Sequence, residues 1–255
     1  GTHHLRNVFP LPFAGPLILL CRGDQNRCFY SNGVFGECKL PVVDIRMCRR
    51  DVSLMTMKNG SLQLDVDPFE SFKVWWDEAL RSGAIEPTAM TLATVKPDGR
   101  PAARVVLCKG FDSKGFQFFT NYNSPKADEL ENSPAASLVF FWASFYRQVR
   151  IEGRVEKVSP AESEQYFKTR PRGSQIGAWS SPQSQKLQSR DQLIELLKSN
   201  EVRFEGKEVP CPPHWGGYRV VPDHFEFWEG REFRLHERFA YRLDRTGWVL
   251  ERLAP

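Results

Sequence analysis

The chain has 255 residues, of which 41% are hydrophobic and 26% charged, a composition typical of a globular protein with one substantial core or two small domains. The formal net charge of +4 comes entirely from residues 1–60, with 8 Lys and Arg against 4 Asp and Glu, whereas residues 61–255 carry 27 of each. A neutral body argues against a general nucleic-acid-binding surface, which needs a clustered basic field, and no segment is predicted to span a membrane.

Residues 1–60 differ in composition from the rest of the chain. They hold four of the six cysteines, and prolines interrupt the apolar run from Phe9 to Cys21. The cysteine spacing contains no C-x-x-C pair and favours neither a zinc site nor a disulfide framework, so no metal site is expected. The segment is predicted to be a poorly structured leader, a targeting segment or a translated extension, and the sequence leaves these open. Residues 61–255 are predicted to form the functional domain of a cytoplasmic protein, unless the leader targets it elsewhere.

The first ordered element is predicted to be a helix that begins after Asp67. Asp67 is a typical N-cap, Pro68 suits the first helical position, and Gly83 is expected to end the helix. Apolar residues recur between them at helical spacing, so this helix should cover one side of the core.

Short β-rich runs separated by turn residues follow this helix. Strands are predicted over 88–95, 102–109, 116–121, 136–142, 148–158, 217–221, 224–228, 233–241 and 248–252. Further helices are predicted after a Ser124 cap, from Ser159 to about Lys168, and over 188–198. Because these helices do not alternate regularly with the strands, the predicted fold class is mainly β with peripheral helices (α+β), arranged as a barrel.

Nucleotide-binding loops are absent from the sequence. Neither G-x-G-x-x-G nor G-x-x-x-x-G-K-[ST] occurs, which argues against a Rossmann or P-loop phosphate site. If the protein binds a phosphate, side chains must provide the contacts.

One candidate for such contacts is the stretch Arg234-Leu235-His236-Glu237-Arg238. As part of a strand, it would place Arg234, His236 and Arg238 on one face. Like charges on one face repel, so the arrangement predicts an anionic ligand, with a solvated, charged edge strand as the alternative.

A second pair of cations brackets the apolar run 105–108. Arg104 and Lys109 are five residues apart and would face opposite sides of a regular strand. They would then contact two different anions, or one anion if the strand bulges; two surface cations are the alternative.

Two other segments could contribute to anion binding. The helix that starts at Ser124 and Pro125 offers free N–H groups and a positive dipole, reinforced by Lys126. Tyr166 and Arg170 would share a helical face, and Pro171 would break that helix and let Ser174 fold back as a hydroxyl donor. Ordinary capped helix ends remain the alternative for both segments.

Several separate motifs together resemble one family. They are R-V-V-L-C-K (104–109), F-F-T-N (118–121), R-Q-V-R-I-E-G (147–153), Y-F-K-T-R-P-R-G-S-Q-I-G-A-W (166–179), Q-S (183–184), W-G-G-Y-R (215–219), F-W-E-G (227–230), R-L-H-E-R (234–238) and E-R-L-A-P (251–255). In this order, over about residues 67–255, they resemble the pyridoxine (pyridoxamine) 5′-phosphate oxidase family. The resemblance implies an FMN-binding split barrel, usually a homodimer with the flavin at the subunit interface.

The same resemblance implies a role for individual residues. FMN contacts would come from Arg104, Val105, Val106, Leu107, Lys109, Phe119, Thr120, Lys126, Gln148, Gln183, Ser184, Trp228 and Arg238. Substrate contacts would come from Lys109, Tyr166, Arg170, Ser174, Arg234 and His236, of which Arg234 and His236 would be the catalytic residues. Two departures stand inside the motifs: Pro125 where the family commonly has Arg, and Glu237 where Asp is usual.

The implied activity is oxidation of pyridoxine and pyridoxamine 5′-phosphates to pyridoxal 5′-phosphate by dioxygen, with release of hydrogen peroxide. The partners would then be a phosphorylated pyridine, dioxygen and a second copy of the chain, with no nucleic acid and no membrane. The alternative is a flavin- or pyridoxal-phosphate-binding protein of the same fold without turnover.

Overall fold

The computed structural model describes residues 62–255. The expectations for residues 1–60, including the leader and its four cysteines, lie outside the described residues. Within the described range, no helix is long and apolar enough to cross a membrane.

The first helix, α1 (Pro68–Arg81), starts and ends as predicted. The Asp67 carboxylate accepts a hydrogen bond of 2.8 Å from the N–H of Phe69, and Pro68 occupies the first turn, where no partner for its missing N–H is needed. The buried face of the helix includes Phe72, whose ring lies 4.9 Å from that of Phe116. The chain leaves the helix through Gly83 at a φ of +72°, a conformation that favours glycine. The helix therefore covers one face of the sheet.

Nine strands of the described region form one antiparallel sheet. They are β1 (Ala89–Val95), β2 (Pro101–Leu107), β3 (Gly110–Asp112), β4 (Gly115–Asn121), β5 (Ala135–Trp142), β6 (Arg147–Lys157), β7 (Trp215–Glu229), β8 (Glu237–Leu243) and β9 (Trp248–Leu253). The main order is β2-β1-β5-β6-β7-β4-β3. Only two residues separate β2 from β3, although these strands are at opposite ends of that order, so the sheet must curl back on itself.

Strand β7 is the point at which the sheet divides. Its first part pairs with β4 and its second part pairs with β8, while β6 runs along its other edge throughout. A bulge on β7 separates these parts, since Gly153 pairs with Pro222 and Glu152 with His224. A Cβ on Gly153 would lie 2.1 Å from the carbonyl oxygen of Val221, so the close approach requires glycine.

Four more helices lie around the sheet: α2 (Pro125–Asn132), α3 (Pro160–Thr169), α4 (Arg172–Ser180) and α5 (Arg190–Arg203). Helices start after Ser124 and Ser159 as predicted, but only Ser159 makes a side-chain capping hydrogen bond. Helix α4 was not predicted from the sequence. A second apolar cluster packs beneath α3, α4 and α5, with Phe167, Ile176, Phe204, Val209 and Trp215 as its buried members.

The fold class, mainly β with peripheral helices, is confirmed. Three strand predictions were wrong. The predicted strands 217–221 and 224–228 are one continuous strand, β7, because a bulge rather than a turn separates them. The predicted strand 233–241 begins only at Glu237, because residues 232–234 form a 3₁₀ turn with Phe233 and Arg234 at φ values of 55° and 61°. The predicted strand 102–109 ends at Leu107, and the N–H of Lys109 bonds instead to the carbonyl of Gln117 on β4.

Candidate functional site

A pocket of about 350 Å³ opens between β4, the end of α3 and the first turns of α4. Its volume lies within the range of roughly 300–1,000 Å³ that is usual for small-molecule sites. The structure brings seven of the predicted site residues together in its wall: Lys109, Phe119, Thr120, Tyr166, Arg170, Ser174 and Gln183. Residues from four separate motifs therefore meet in one place.

Aromatic rings form one wall of this pocket. The ring of Phe119 stacks on Tyr166 at 4.0 Å between centroids and on Trp215 at 5.4 Å. Phe119 pairs with Gly217 across β4 and β7, and a Cβ on Gly217 would lie 2.7 Å from the Phe119 ring. The glycine therefore makes room for the stacked rings, which offer a flat apolar surface to a ligand.

Arg170 is a half-buried cation in the wall of the pocket. It caps the C-terminus of α3 directly before Pro171, so that proline does end this helix as predicted. Its Nη1 atom is buried without a hydrogen-bond partner, and burial lowers the pKa of the guanidinium. An anion in the pocket would supply the missing acceptor.

Ser174 and Lys109, two further polar residues of the pocket, are exposed. Ser174 lies in the first turn of α4, where its N–H bonds to the carbonyl of Pro171 at 2.8 Å. Ser174 therefore lies in the same pocket wall as Arg170 because a second helix, α4, starts directly after Pro171. Lys109 belongs to the two-residue link between β2 and β3. Burial raises the pKa of the Tyr166 hydroxyl, so Tyr166 serves as a neutral donor.

Lys126 connects the pocket to the start of α2. Its Nζ lies 3.0 Å from Thr120 Oγ1 and 3.2 Å from Gln183 Oε1. Burial, and secondarily the charge of Arg104, lower the pKa of the Lys126 amine. Ser184, which follows Gln183, is exposed at a φ of 66°.

Arg104 lies on β2, outside the pocket wall. Its Nη2 pairs at 2.6 Å with Glu129 Oε2 of α2, and its guanidinium also donates to Thr94. Strand β2 bonds only to β1 among the described strands, so the opposite edge, which includes Val105, Val106 and Leu107, is unpaired. The argument that Arg104 and Lys109 alternate along one strand was wrong, because β2 ends before Lys109.

The remaining predicted residues form a second group on neighbouring strands. Gln148, Trp228 and Arg238 are paired in one row across β6, β7 and β8. His236 packs its ring 4.8 Å from that of Trp228, and its Nδ1 accepts a hydrogen bond of 3.1 Å from the N–H of Arg231. None of these residues lines the pocket described above.

The expected row of Arg234, His236 and Arg238 on one strand face does not exist. Only Arg238 belongs to β8; Arg234 lies in the 3₁₀ turn and is exposed. Two consecutive residues at positive φ redirect the chain there, and the N–H of Leu235 closes the turn on Glu232 at 3.1 Å.

Arg238 is already held by protein groups. Its Nε and Nη2 donate to Glu226 Oε1 at 2.9 and 2.8 Å, and its Nη1 donates to the Ala254 carbonyl at 2.9 Å. Glu226 is buried and also pairs through Oε2 with Arg150 at 3.0 Å. This network fixes the guanidinium of Arg238 on the sheet.

Sequence reasoning gave no role to five residues that also line the pocket: Asn121, Gly177, Ala178, Ser181 and Trp215. Three of these follow Ser174 at spacings of three, four and seven, which is the signature of one helical face. This spacing would have identified the three residues as pocket residues only if α4 had been predicted to be a helix. Trp215 stood inside a quoted motif with no role assigned.

Two regions of the chain match known protein families. Residues 76–203 match the family described as pyridoxamine 5′-phosphate oxidase, and residues 215–255 match the pyridoxine 5′-phosphate oxidase C-terminal dimerisation region. The chain belongs to the pyridoxamine 5′-phosphate oxidase family. The dimerisation region supports the expected homodimer.

Individual relatives agree with this assignment. The chain is 53% identical over 208 residues to a pyridoxine/pyridoxamine 5′-phosphate oxidase of Nostoc punctiforme, covering 81% of this chain and 96% of the relative. It is 54% identical over 195 residues to the oxidase of that name from Ectopseudomonas mendocina, covering 76% and 91%. Among solved structures, PhzG from Burkholderia lata, in complex with tetrahydrophenazine-1-carboxylic acid, matches with a TM-score of 0.72 at 29% identity, covering 77% and 100%.

Family membership confirms several expectations together. The chain is an enzyme of an oxidase family that uses FMN, and its sheet with peripheral helices is the split barrel of that family. The roles of single residues are not tested by these matches and stay predictions.

Proposed function

We propose that this protein oxidises pyridoxine 5′-phosphate and pyridoxamine 5′-phosphate to pyridoxal 5′-phosphate. The alcohol loses two electrons and two protons to dioxygen, giving the aldehyde and hydrogen peroxide. The amine consumes one water in addition and releases ammonia. Names shared by relatives about 50% identical over most of the chain support this reaction.

The observation that carries the substrate class is the Nη1 atom of Arg170, which has no hydrogen-bond acceptor. Its buried Nη1 lies in the same pocket wall as Lys109, Tyr166 and Ser174, which add one cation and two hydroxyl donors. A phosphate monoester offers three acceptor oxygens and up to two negative charges, so it matches this donor set. We assign these four residues to the substrate phosphate, and Phe119, whose ring stacks on Tyr166, to FMN.

The residues around Lys126 fit the phosphate of FMN. The Lys126 amine is half-buried and its hydrogen-bond partners Thr120 and Gln183 are neutral, while burial and, secondarily, Arg104 lower its pKa. An anion beside it would stabilise the charged amine. Thr120, Gln183 and Ser184 would add hydrogen bonds, and the unpaired edge of β2 would offer backbone groups of 105–107 to the isoalloxazine. Bound there, FMN would supply the two-electron redox chemistry between the substrate's 4′ carbon and dioxygen.

The second group is proposed to complete the site of the other protomer. Gln148, Trp228, Arg234, His236 and Arg238 do not line the pocket of their own chain, and most lie in the dimerisation region. Across the dimer, Gln148, Trp228 and Arg238 would hold the flavin, while Arg234 and His236 would hold the pyridine. Both ligands would then be enclosed by residues from two chains.

The hydrogen bond to His236 suggests what this residue does. Because Nδ1 accepts from the N–H of Arg231, the neutral ring carries its proton on Nε2. Nε2 then presents a donor, which can orient the substrate's ring or its 4′ substituent but cannot take a proton. We therefore assign His236 a positioning role in the neutral state, with Arg234 supplying positive charge beside it.

Peroxide release tests the proposal directly. Protein loaded with FMN should release one hydrogen peroxide per pyridoxal 5′-phosphate formed from pyridoxine 5′-phosphate in air. Arg170→Gln should raise KM by about ten- to a hundredfold, as expected for one charged hydrogen bond, whereas Lys168→Gln, an exposed cation on the same helix, should change it little. Flavin binding without peroxide would identify a carrier instead. The cytoplasmic location stays a prediction.

A further inference from the structure

Trp215 lines the pocket and contacts Arg170 with the face of its ring. It is 8% exposed and opens β7, where it pairs with Asn121 of β4. The carbon at the centre of the Arg170 guanidinium lies 4.7 Å from the centre of the Trp215 ring. A contact at this distance is a cation–π interaction, which is strongest for tryptophan.

The support of Arg170 differs from that of comparable cations in the described region. Three other largely buried arginines each pair with a glutamate within 3 Å: Arg104 with Glu129, Arg147 with Glu229 and Arg219 with Glu162. Arg170 makes no salt bridge to any carboxylate of residues 62–255, and its Nη1 has no hydrogen-bond partner there. Its guanidinium rests on rings, those of Trp215 and, at 5.6 Å, Phe167.

This difference has a consequence for binding. A carboxylate partner would fix the guanidinium but would neutralise its charge and occupy its donors. A ring face also fixes the guanidinium, yet it leaves the N–H groups in the plane free and the net charge intact. Nη1 is the donor of this guanidinium that is buried and has no acceptor.

We propose that Trp215 is a positioning residue that sets the preference for phosphorylated substrates, by holding Arg170 against its ring face so that Nη1 is presented to the phosphate. The inference rests on the proposed function for the identity of the ligand. It adds Trp215 to the phosphate site as a residue that acts through Arg170 and does not itself contact the phosphate.

The surroundings of Trp215 suit this role. Its backbone N–H bonds to the carbonyl of Pro212 at 3.0 Å, and its ring packs edge-on against Phe167 at 5.1 Å. Strand pairing fixes the backbone on the other side. The ring is therefore a rigid platform, and the ordering of Arg170 is completed before the ligand arrives.

Trp215→Leu and Trp215→Phe test the inference in the holoenzyme. The leucine variant should raise KM for pyridoxine 5′-phosphate by about tenfold, within the roughly two- to thirtyfold expected for a cation–π contact, with kcat within twofold. Pyridoxine without its phosphate should lose less than twofold in kcat/KM. The phenylalanine variant, which keeps a ring face, should fall between wild type and the leucine variant.

A double variant identifies the route of the effect. If Trp215 acts through Arg170, Trp215→Leu combined with Arg170→Gln should be no worse than Arg170→Gln alone. Multiplicative losses, or equal losses for pyridoxine and its phosphate, would overturn the inference. Phe204→Leu is the matched control, because it removes a ring from the same apolar cluster and should lower the unfolding temperature without changing the ratio between the two substrates.

Binding of inorganic phosphate, measured by calorimetry on the FMN-loaded protein, separates this inference from the proposed function. Weaker phosphate binding in Trp215→Leu supports the positioning role even if no peroxide is formed. Normal peroxide release by the wild type together with unchanged phosphate binding in Trp215→Leu would remove the inference and leave the oxidase reaction standing.

Discussion

Lys126 Nζ and Gln183 Oε1 lie 3.2 Å apart, which ties the start of α2 to the loop that follows α4. Thr120 Oγ1 at the end of β4 lies 3.0 Å from the same amine. Three segments distant in the sequence therefore meet at one cation. Because these partners are neutral, the charge of Lys126 remains available to an anion.

The pH dependence of FMN affinity should report this cation. Burial and the neighbouring Arg104 lower the pKa of Lys126, so its charge is lost at a lower pH than that of an ordinary lysine. FMN affinity should therefore be full at neutral pH and should fall as the pH rises through this lowered pKa. Lys126→Arg should keep its affinity to higher pH, because a guanidinium stays protonated. A titration of apo-protein with FMN from pH 7 to pH 10 measures this; identical profiles for the two proteins would contradict it.

Local signals in the sequence were sufficient for much of the site. The caps at Asp67 and Ser159 involve only neighbouring residues, so their helices could be predicted from a few positions. Tyr166 and Arg170 were joined by helical spacing, and the structure places both in the pocket.

Long-range contacts decided what the sequence could not predict. The stretch 234–238 alternates like a strand, but the turn at Phe233 and Arg234 forms where the N–H of Gly230 bonds to the Tyr146 carbonyl at 2.7 Å, about eighty residues away. In the same way, the pairing of Arg238 with Glu226 depends on the register of β7 and β8. The alternation of side chains along 234–238 predicts neither the turn nor this ion pair.

Arg234→Ala and Arg238→Ala should have different effects. Arg234 is exposed, so its loss should leave the unfolding temperature unchanged and reduce substrate use. Loss of Arg238 leaves the buried Glu226 with Arg150 alone, and should cost about 2 kcal/mol or roughly 4–8 °C in addition to weaker FMN binding. Thermal unfolding, FMN titration and steady-state kinetics distinguish these outcomes.

Adding Glu226→Gln provides the control for Arg238. The double variant no longer buries an underpaired carboxylate, so it should recover part of the lost stability while FMN binding stays weak. Recovery of FMN affinity in the double variant would show that Arg238 acts only through the fold.

Deletion of residues 1–60 should leave the domain folded and able to bind FMN. The contacts that anchor the N-terminal side of the described region start at Leu62 and Leu64, which pack on the core, and at Asp65, whose carbonyl accepts from Tyr241. All of these remain in the shortened protein. We expect an unfolding temperature within a few degrees of the full chain and one FMN per protomer; a colourless or insoluble product would refute the proposed boundary.

Pro125 occupies the first turn of α2 at the position where the resemblance implies Arg. It is exposed, and the Ser124 side chain makes no capping hydrogen bond there. Proline suits this position because its fixed φ matches the helix, but it offers no charge to the FMN phosphate. Lys126, the next residue, is the cation already present, so an arginine at 125 would add to an existing site.

Pro125→Arg should tighten FMN binding by about tenfold at most, since a charged hydrogen bond is worth about 1.5–3 kcal/mol and exposure favours the lower end. Pro125→Ala is the matched control, because it removes the proline ring without adding charge and should show a small loss of stability only. The gain from arginine should shrink as salt screens the new pair. FMN titrations at two ionic strengths measure both effects. If Pro125→Arg binds no tighter than Pro125→Ala at low salt, the start of α2 does not face the FMN phosphate, and the assignment of Lys126 to that phosphate must be withdrawn with it.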